Sequence, residues 1–448
     1  MEIFPELENP QLTEAKIDPD KLKEDIDAYY FGAIERHPDL AKYANKTELL
    51  SKVSELKRQI DKPMTRLEFF RIVGQLSHMF NDGHSMLLWP YPEFEQFTSS
   101  GHKPFPFEVT INSDDQLFFK KAYKAKGREP ISSGARLLAI NGVSVEELFN
   151  TMQQYAGGES AYLRKQFVAR RIATYLWAVY GFIDEFTLSI ENKASVYDLT
   201  IHKNDSWDIP NEDAQSKQDF YYKKLEPGIA YLYIGHFDID PDWFENFVDD
   251  AFAQINQDKI ASLILDVRDN TGGNTDTASY LSRYLAKDKF RMISTIKEKI
   301  NTDNAGVFNY RGEPGDIIEE QWDDWLQPIG RNGFKGKAYV LISPISYSSG
   351  IVFASVMKDY GFATLIGQET GGNANQTAQG NLFNLPYSKL RAYIATRMLV
   401  RPSGSLELGG VKPDYVTEFK RTSLLDNKDA EVIKALELIK NEHSSISH

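Results

Sequence analysis

Apolar positions in the first eighty residues recur at steps of three and four. "KLKEDIDAYYFGAIERHPDL", "KTELLSKVSELKRQI" and "TRLEFFRIVGQLSHMF" each lay one apolar stripe along a helix, so the chain from Pro10 to about Phe80 reads as helical. Thr65 followed by Glu68 has the spacing of a capping box and sets the start of the third helix. That helix runs out at "NDGHSMLLWP", where Asn81, Asp82 and Gly83 stop it and leave His84 in the turn.

From 101 to 205 the pattern changes to short β-like runs: "FPFEVTI", "QLFFKKAY", "RLLAINGVSV", "DEFTLSIE" and "VYDLTIHK". Asn141-Gly142 between apolar runs is a hairpin signal. The polar stretch "NDSWDIPNEDAQSK" reads as a linker. Beyond residue 218 strands alternate with helices: "IAYLYIG", "DWFENFVDDAFAQIN", "ASLILDVRD", "TDTASYLSRYLAKD", "KAYVLIS", "YSSGIVFASVMKDYG" and "ATLIGQE". Such alternation predicts parallel strands joined by crossover helices. "NKDAEVIKALELIKNEH" is a terminal helix.

The expectation is an α+β multidomain chain with a helical N-terminal domain over 1–100, a small β-rich domain over 101–205 and an α/β core over 206–448. Its 448 residues suit more than one core, since single cores rarely grow past roughly 250 residues. A hydrophobic fraction of 42% and a charged fraction of 26% describe an ordinary globular chain. The formal net charge of -13 argues against a nucleic-acid partner, which would need clustered Lys and Arg. No cysteine is present, so disulfides, thiolate nucleophiles and cysteine metal sites are excluded together. The acidic start lacks the basic and apolar regions of a signal peptide, and no apolar run reaches the roughly 20 residues of a transmembrane helix.

Candidate chemistry begins at Ser348, which follows an apolar strand and stands at the start of a helix. Serine is a favoured N-cap, and capping is the plain reading of the local pattern. The same position suits a nucleophile, because the N–H of Ser349 and the helix dipole can hold a negative oxygen formed by attack. In "LILDVRDNTGG" an apolar strand ends in Asp266, Arg268, Asn270 and the pair Gly272-Gly273, where a Gly N–H could be a second oxyanion donor. "FDIDPDWFENFVDD" alternates Asp238, Asp240 and Asp242, but Trp243 and Asp249 stand where a calcium loop needs Gly and Glu, so the stretch reads as helix capping. No HExxH or other histidine cluster suggests zinc.

"LILDVRDNTGGN", then "SPISYSSGIVFASVMKDYGFATLIGQETGGN", then "ELGGVKPD" resemble the C-terminal-processing and tricorn protease superfamily, the tail-specific serine proteases and their retinoid-binding relatives. The similarity runs in order from 225 to 420, and "MFNDGHSMLL" extends it to the N-terminal part. It implies a crotonase-like ββα protease core and, from "ISSGARLLAINGVSVEELF", a PDZ-like module. One branch of the family uses a lysine base, and Asn373 occupies that position here. The tricorn-like branch uses a histidine and a late glutamate, which the resemblance places on His84 and Glu407. That branch has a serine just before its histidine, whereas this chain has Gly83, with Ser85 following. Asp82 is therefore the alternative orienting carboxylate, and His78 and His236 compete with His84.

The resemblance implies a serine peptidase acting on extended polypeptides or C-terminal tails. Ser348 would be the nucleophile, His84 the general base and Glu407 its orienting group, with Gly272, Gly273 and Ser349 supplying the oxyanion hole. No metal or organic cofactor is required. Family members are often exported or envelope proteins, which would require a leader absent from this sequence. A ligand-binding protein on the same fold, or an esterase-like hydrolase, is the alternative.

Overall fold

Local capping chemistry sets the helices of the N-terminal part. The computed structural model describes residues 10–192, 195–210, 218–306, 311–417 and 429–446. Helix Pro19–Arg36 opens on Asp18, whose carboxylate accepts the N–H of Asp20, and Asn45 caps Lys46–Arg58 by accepting from Thr47 and Glu48. The capping box of Thr65 and Glu68 is formed in full at the start of Arg66–Val73. The helix then tightens into a 3-10 turn over Gly74–Phe80 and ends at Asn81, whose φ of 48° is left-handed. Asn tolerates that conformation, and the chain leaves the helix as the sequence pattern predicts.

The chain divides into two compact units. The first comprises Met1–Pro210, Lys297–Ile318 and Thr377–Met398, and the second Asn211–Ile296, Glu319–Gln376 and Leu399–His448. Within the first, the N-terminal helices and the β-rich segment share one buried apolar cluster, which runs from Leu22 and Phe69 through Leu117 and Leu188 to Leu385 and Ile394. One sheet of this unit has the strand order Val109–Ile111, Leu117–Phe119, Arg136–Ile140, Glu185–Asn192, Ser195–His202, each neighbouring pair antiparallel. Ile140 faces Val143 across a two-residue turn in which Asn141 and Gly142 both take positive φ, the twist-compatible hairpin geometry. Met86 and Leu87 pair antiparallel with Tyr393 and Ala392, so a late segment lies beside the short strand that follows His84.

The second unit is built on a six-stranded sheet in the order Tyr415–Val416, Ala363–Gly367, Lys337–Ile342, Ser262–Asp266, Ile229–Ile234, Phe220–Glu226. All its pairings are parallel except the edge pair of Phe220–Glu226 with Ile229–Ile234. Ser262–Asp266 is buried along its whole length, as a central parallel strand covered on both faces must be. Ile264, Tyr339 and Ile366 pack with Ala435 and Ile439 of the terminal helix Ala430–Ile446. The architecture is a mixed α+β fold, as the alternating pattern predicts. Asp240 caps helix Pro241–Gln257 by accepting the N–H of Trp243 at 3.0 Å, the capping role expected of that aspartate run. Among the described residues, no helix is long and apolar enough to cross a membrane.

Candidate active site

Ser348 occupies the N-cap position of helix Ser349–Asp359 yet makes no side-chain capping hydrogen bond. Its backbone sits at φ 53° and ψ -124°, a conformation that L residues rarely adopt. A strained residue on a strand-to-helix turn is how a nucleophilic hydroxyl is held out of the helix cap, and such strain persists only when the surroundings enforce it. The enforcement is visible. Gln376 Nε2 donates to the Ser348 carbonyl at 2.8 Å, and the Tyr347 N–H just before it donates to the Asn270 carbonyl at 2.9 Å.

The glycine loop supplies the other wall. A Cβ on Gly272 would stand 2.5 Å from the Ser348 Cβ, and one on Gly273 would meet the Asp238 nitrogen at 2.0 Å. Only glycine allows this approach. The two N–H groups differ: that of Gly272 donates to Asn270 Oδ1 at 2.9 Å and is committed, whereas that of Gly273 donates to no described residue. Ser349 Oγ donates to the Gly273 carbonyl at 2.9 Å, tying the first helical residue to this loop. Its own N–H is among the first of the helix, which have no carbonyl within the helix to bond.

Asp266 and Arg268, singled out by the strand-to-loop pattern, have a structural task. Tyr231 Oη donates to Asp266 at 2.5 Å, and Arg268 bonds Asp266, Asp429 and Glu431, pinning the start of the terminal helix. Burial opposes the charge on Arg268, but these carboxylates hold its guanidinium pKa well above the ordinary value.

His84 belongs to the first unit, and its surroundings are unusual for a turn histidine. It is 7% exposed, while Asp82, Ser85 and His37 are fully buried. Asp82 is the hub. Its Oδ1 accepts the His84 N–H at 3.0 Å and the Thr377 hydroxyl at 2.5 Å, and its Oδ2 accepts the Ser85 hydroxyl at 2.6 Å and lies 3.1 Å from His37 Nε2. His37 Nδ1 accepts the N–H of Asp39 at 3.1 Å, which places the ring proton on Nε2, facing Asp82. Thr377 Oγ1 gives its own proton to Asp82 and so receives one from His84 Nδ1, 3.3 Å away. Burial alone would push the Asp82 carboxyl up, but hydrogen bonding and electrostatic attraction from His37, the attraction of His84 and the Ser85 hydroxyl hold it well below the usual carboxylate range. Burial pulls His84 below its ordinary value, with Asp82 working against that shift.

The competing histidines are differently placed. His78 Nδ1 is 2.7 Å from the Gln75 carbonyl of its own helical turn, and His236 packs edge-on against Phe220 with Asp219 at 3.8 Å. Glu407 is exposed, and its carboxylate accepts no hydrogen bond from a described residue; its backbone carbonyl lies 3.3 Å from Asn375 Nδ2. Asn373, at the lysine position, makes no side-chain hydrogen bond with a described residue. Among the expected site residues, the structure gathers Ser348, Ser349, Gly272 and Gly273 in one unit. Thr377, His37 and Gln376 escaped the sequence reading. Thr377 is 295 residues from Asp82, and nothing in "NQTAQG" marks it.

Residues 228–417, which carry Ser348 and the glycine loop, match the model of peptidase family S41. The matched segment is similar to that family. Among solved structures, mature CPAF complexed with lactacystin is similar over 93% of this chain and 98% of its own, with 13% identity and a TM-score of 0.67. Mature CPAF alone is similar over 90% and 94%, at 13% identity and a TM-score of 0.66. A peptidase structure from Parabacteroides merdae, described as putative, is similar over 94% and 96%, with 16% identity and a TM-score of 0.51. These likenesses extend the common fold beyond the matched segment to nearly the whole chain. The S41 match supports a serine-type peptidase acting on polypeptides.

Proposed function

We propose that the peptidase works through an acyl-enzyme on Ser348, with His84 as the general base. Attack of Ser348 Oγ on the scissile carbonyl forms the C–O bond while His84 Nε2 takes the hydroxyl proton. The carbonyl oxygen becomes an oxyanion, held by the N–H groups of Ser349 and Gly273. Collapse of the tetrahedral species breaks the C–N bond, and His84 returns its proton to the leaving amine. Water, deprotonated in turn by His84, attacks the acyl carbonyl, and the bond to Ser348 Oγ breaks as His84 returns that proton to the serine.

The observation that carries this reading is the backbone of Ser348: a serine at an N-cap, at φ 53°, that does not cap. A serine retained for helix stability would spend its hydroxyl on the helix N–H groups, worth about 1 kcal/mol. Gln376 adds support by holding the Ser348 carbonyl. The family resemblance implies Glu407 as the orienting group, but its exposed carboxylate accepts no hydrogen bond from a described residue, and the contacts of Asp82 favour Asp82 for the role.

The test is intact mass after a fluorophosphonate probe, on the natural chain, Ser348→Ala and His84→Ala. One adduct on the natural chain, lost in Ser348→Ala and strongly slowed in His84→Ala, is expected. Ser348→Ala should also cut turnover by about four to six orders of magnitude with folding intact. Peptidase activity surviving in that variant would remove Ser348 from the mechanism. Lactacystin, named as bound to mature CPAF, is a second compound to compare on the natural chain and Ser348→Ala.

A further inference from the structure

We infer that Thr377 and Asp82 form the positioning relay of the base, so that the proton on His84 Nδ1 is held by a threonine hydroxyl and not directly by a carboxylate. This inference rests on the reading of His84 as the base. Four donors converge on Asp82: the His84 N–H at 3.0 Å, the Ser85 hydroxyl at 2.6 Å, the Thr377 hydroxyl at 2.5 Å and the His37 ring at 3.1 Å. A carboxylate with this many donors in a site closed to water is held ionised in one orientation. Its direction then fixes the direction of the Thr377 hydroxyl. With that O–H aimed at Asp82 Oδ1, the threonine oxygen can act only as an acceptor toward His84, and the Nδ1–H tautomer follows. That tautomer leaves Nε2 as the ring's basic nitrogen, the atom the proposed cycle needs.

The relay explains two features that a purely structural cluster would not require. Ser85 and His37 complete the hub: the Ser85 oxygen also accepts the Ala395 N–H at 3.2 Å, and His37 is held from behind by the Asp39 N–H at 3.1 Å. Each donor to Asp82 is thereby itself oriented, the arrangement expected where direction matters and not merely neutralisation. During catalysis the imidazolium formed on His84 keeps its Nδ1 proton against Thr377 Oγ1. Thr377 keeps its own proton toward Asp82, and no proton reaches the carboxylate. The charged ring is stabilised by Asp82 through one intervening hydroxyl.

The groups facing this chain come from several elements. Asp39 lies behind His37, and Tyr43 lies with its ring centroid 5.2 Å from that of His37. Tyr393, on the strand paired with Met86 and Leu87, is half-buried and feels the Asp82 charge. Burial and the surrounding carboxylates push Tyr43 above its ordinary range, and burial does the same for Tyr393, so neither ionises at working pH.

The experiment compares Thr377→Val, Thr377→Ser and Asp82→Asn with the natural chain, using peptide hydrolysis and the rate of fluorophosphonate labelling from pH 5 to 9. Thr377→Val keeps the shape and loses the hydroxyl; it is expected to lower kcat by about 10- to 100-fold with KM little changed. It should also move the acidic limb of kcat/KM to lower pH, since the imidazolium loses its stabilising partner. Thr377→Ser should restore most of the rate and the original limb. Asp82→Asn should move the limb the same way, with thermal melting run beside it to separate unfolding from misorientation. Thr377→Val within about threefold of natural kcat and with an unmoved limb would overturn the relay, as would Thr377→Ser failing to rescue a folded Thr377→Val protein. If the natural folded chain is not labelled at Ser348 at all, the acyl-enzyme reading fails instead, and the labelling control distinguishes the two.

Discussion

Gly272 and Ser348 approach so closely that a methyl group added to the glycine would stand 2.5 Å from the serine Cβ. Gly272 also has φ of 101°, so alanine there would be strained even in open space. Gly272→Ala is therefore expected to push the Ser348 turn away from its present position. Labelling by a fluorophosphonate should slow by about 100-fold or more, and stability should drop by about 1–3 kcal/mol. A folded Gly272→Ala protein labelled at the natural rate would show that this contact does not set the nucleophile.

Gln376 is the second restraint on the same turn. Losing its hydrogen bond to the Ser348 carbonyl removes about 0.5–1.5 kcal/mol of support for a strained backbone. Gln376→Ala should lower kcat about 3- to 10-fold more than it changes KM. Steady-state kinetics on a short peptide reads both, and a pure KM effect would assign Gln376 to substrate binding instead.

The pH dependence of activity follows from His84. Burial lowers its pKa from 6.5, so the neutral base persists into mildly acidic solution. The acidic limb of kcat/KM should have its midpoint below pH 6.5 and level off above pH 7. A profile still climbing steeply above about pH 8 would point to a lysine-like base.

Stability should fall with acidification. His84 has a folded pKa below its unfolded one, so the unfolded chain takes up that proton first as pH drops through about 6.5. Asp82 is depressed in the fold, so its contribution is present above about pH 4 and is lost as pH falls through the lower folded value. Melting temperatures measured from pH 7 down to pH 3 should decline throughout, and Asp82→Asn should flatten the part below about pH 4.

Arg268 offers a test away from the chemistry. Replacing it with leucine strands Asp266, which is 1% exposed, and frees Asp429 and Glu431 at the start of the terminal helix. Removing one partner of a buried ion pair costs about 3–5 kcal/mol. Urea unfolding of Arg268→Leu should show a loss of that size. A change under about 1 kcal/mol would mean that the cluster is solvated in solution.

The period of the apolar pattern determined the helices of the first eighty residues, the antiparallel strands after residue 101 and the alternation that builds the parallel sheet. These are local consequences of which side chains face a core, and adjacent residues suffice to express them. The hairpin at Asn141-Gly142 and the cap at Asp240 were legible for the same reason: turn and cap geometry depend on the side chains at the turn itself. Ser348 was visible as a position, at the junction of strand and helix. Its refusal to cap was not, because the backbone there is imposed by Gly272, Asn270 and Gln376, each remote in sequence.

Tertiary structure alone decided the partners of His84. Asp82 was within reach of a sequence reading, two residues away, but Thr377 and His37 lie 295 and 45 positions from it. The first unit gathers a helix end, a turn and a late strand around one carboxylate, and long-range gathering of that kind leaves no local period. The sequence determined which residue types could do acid–base work. Folding determined which of them are closed off from water and held in one direction, because burial and hydrogen-bond geometry belong to the assembled core and not to any stretch of chain.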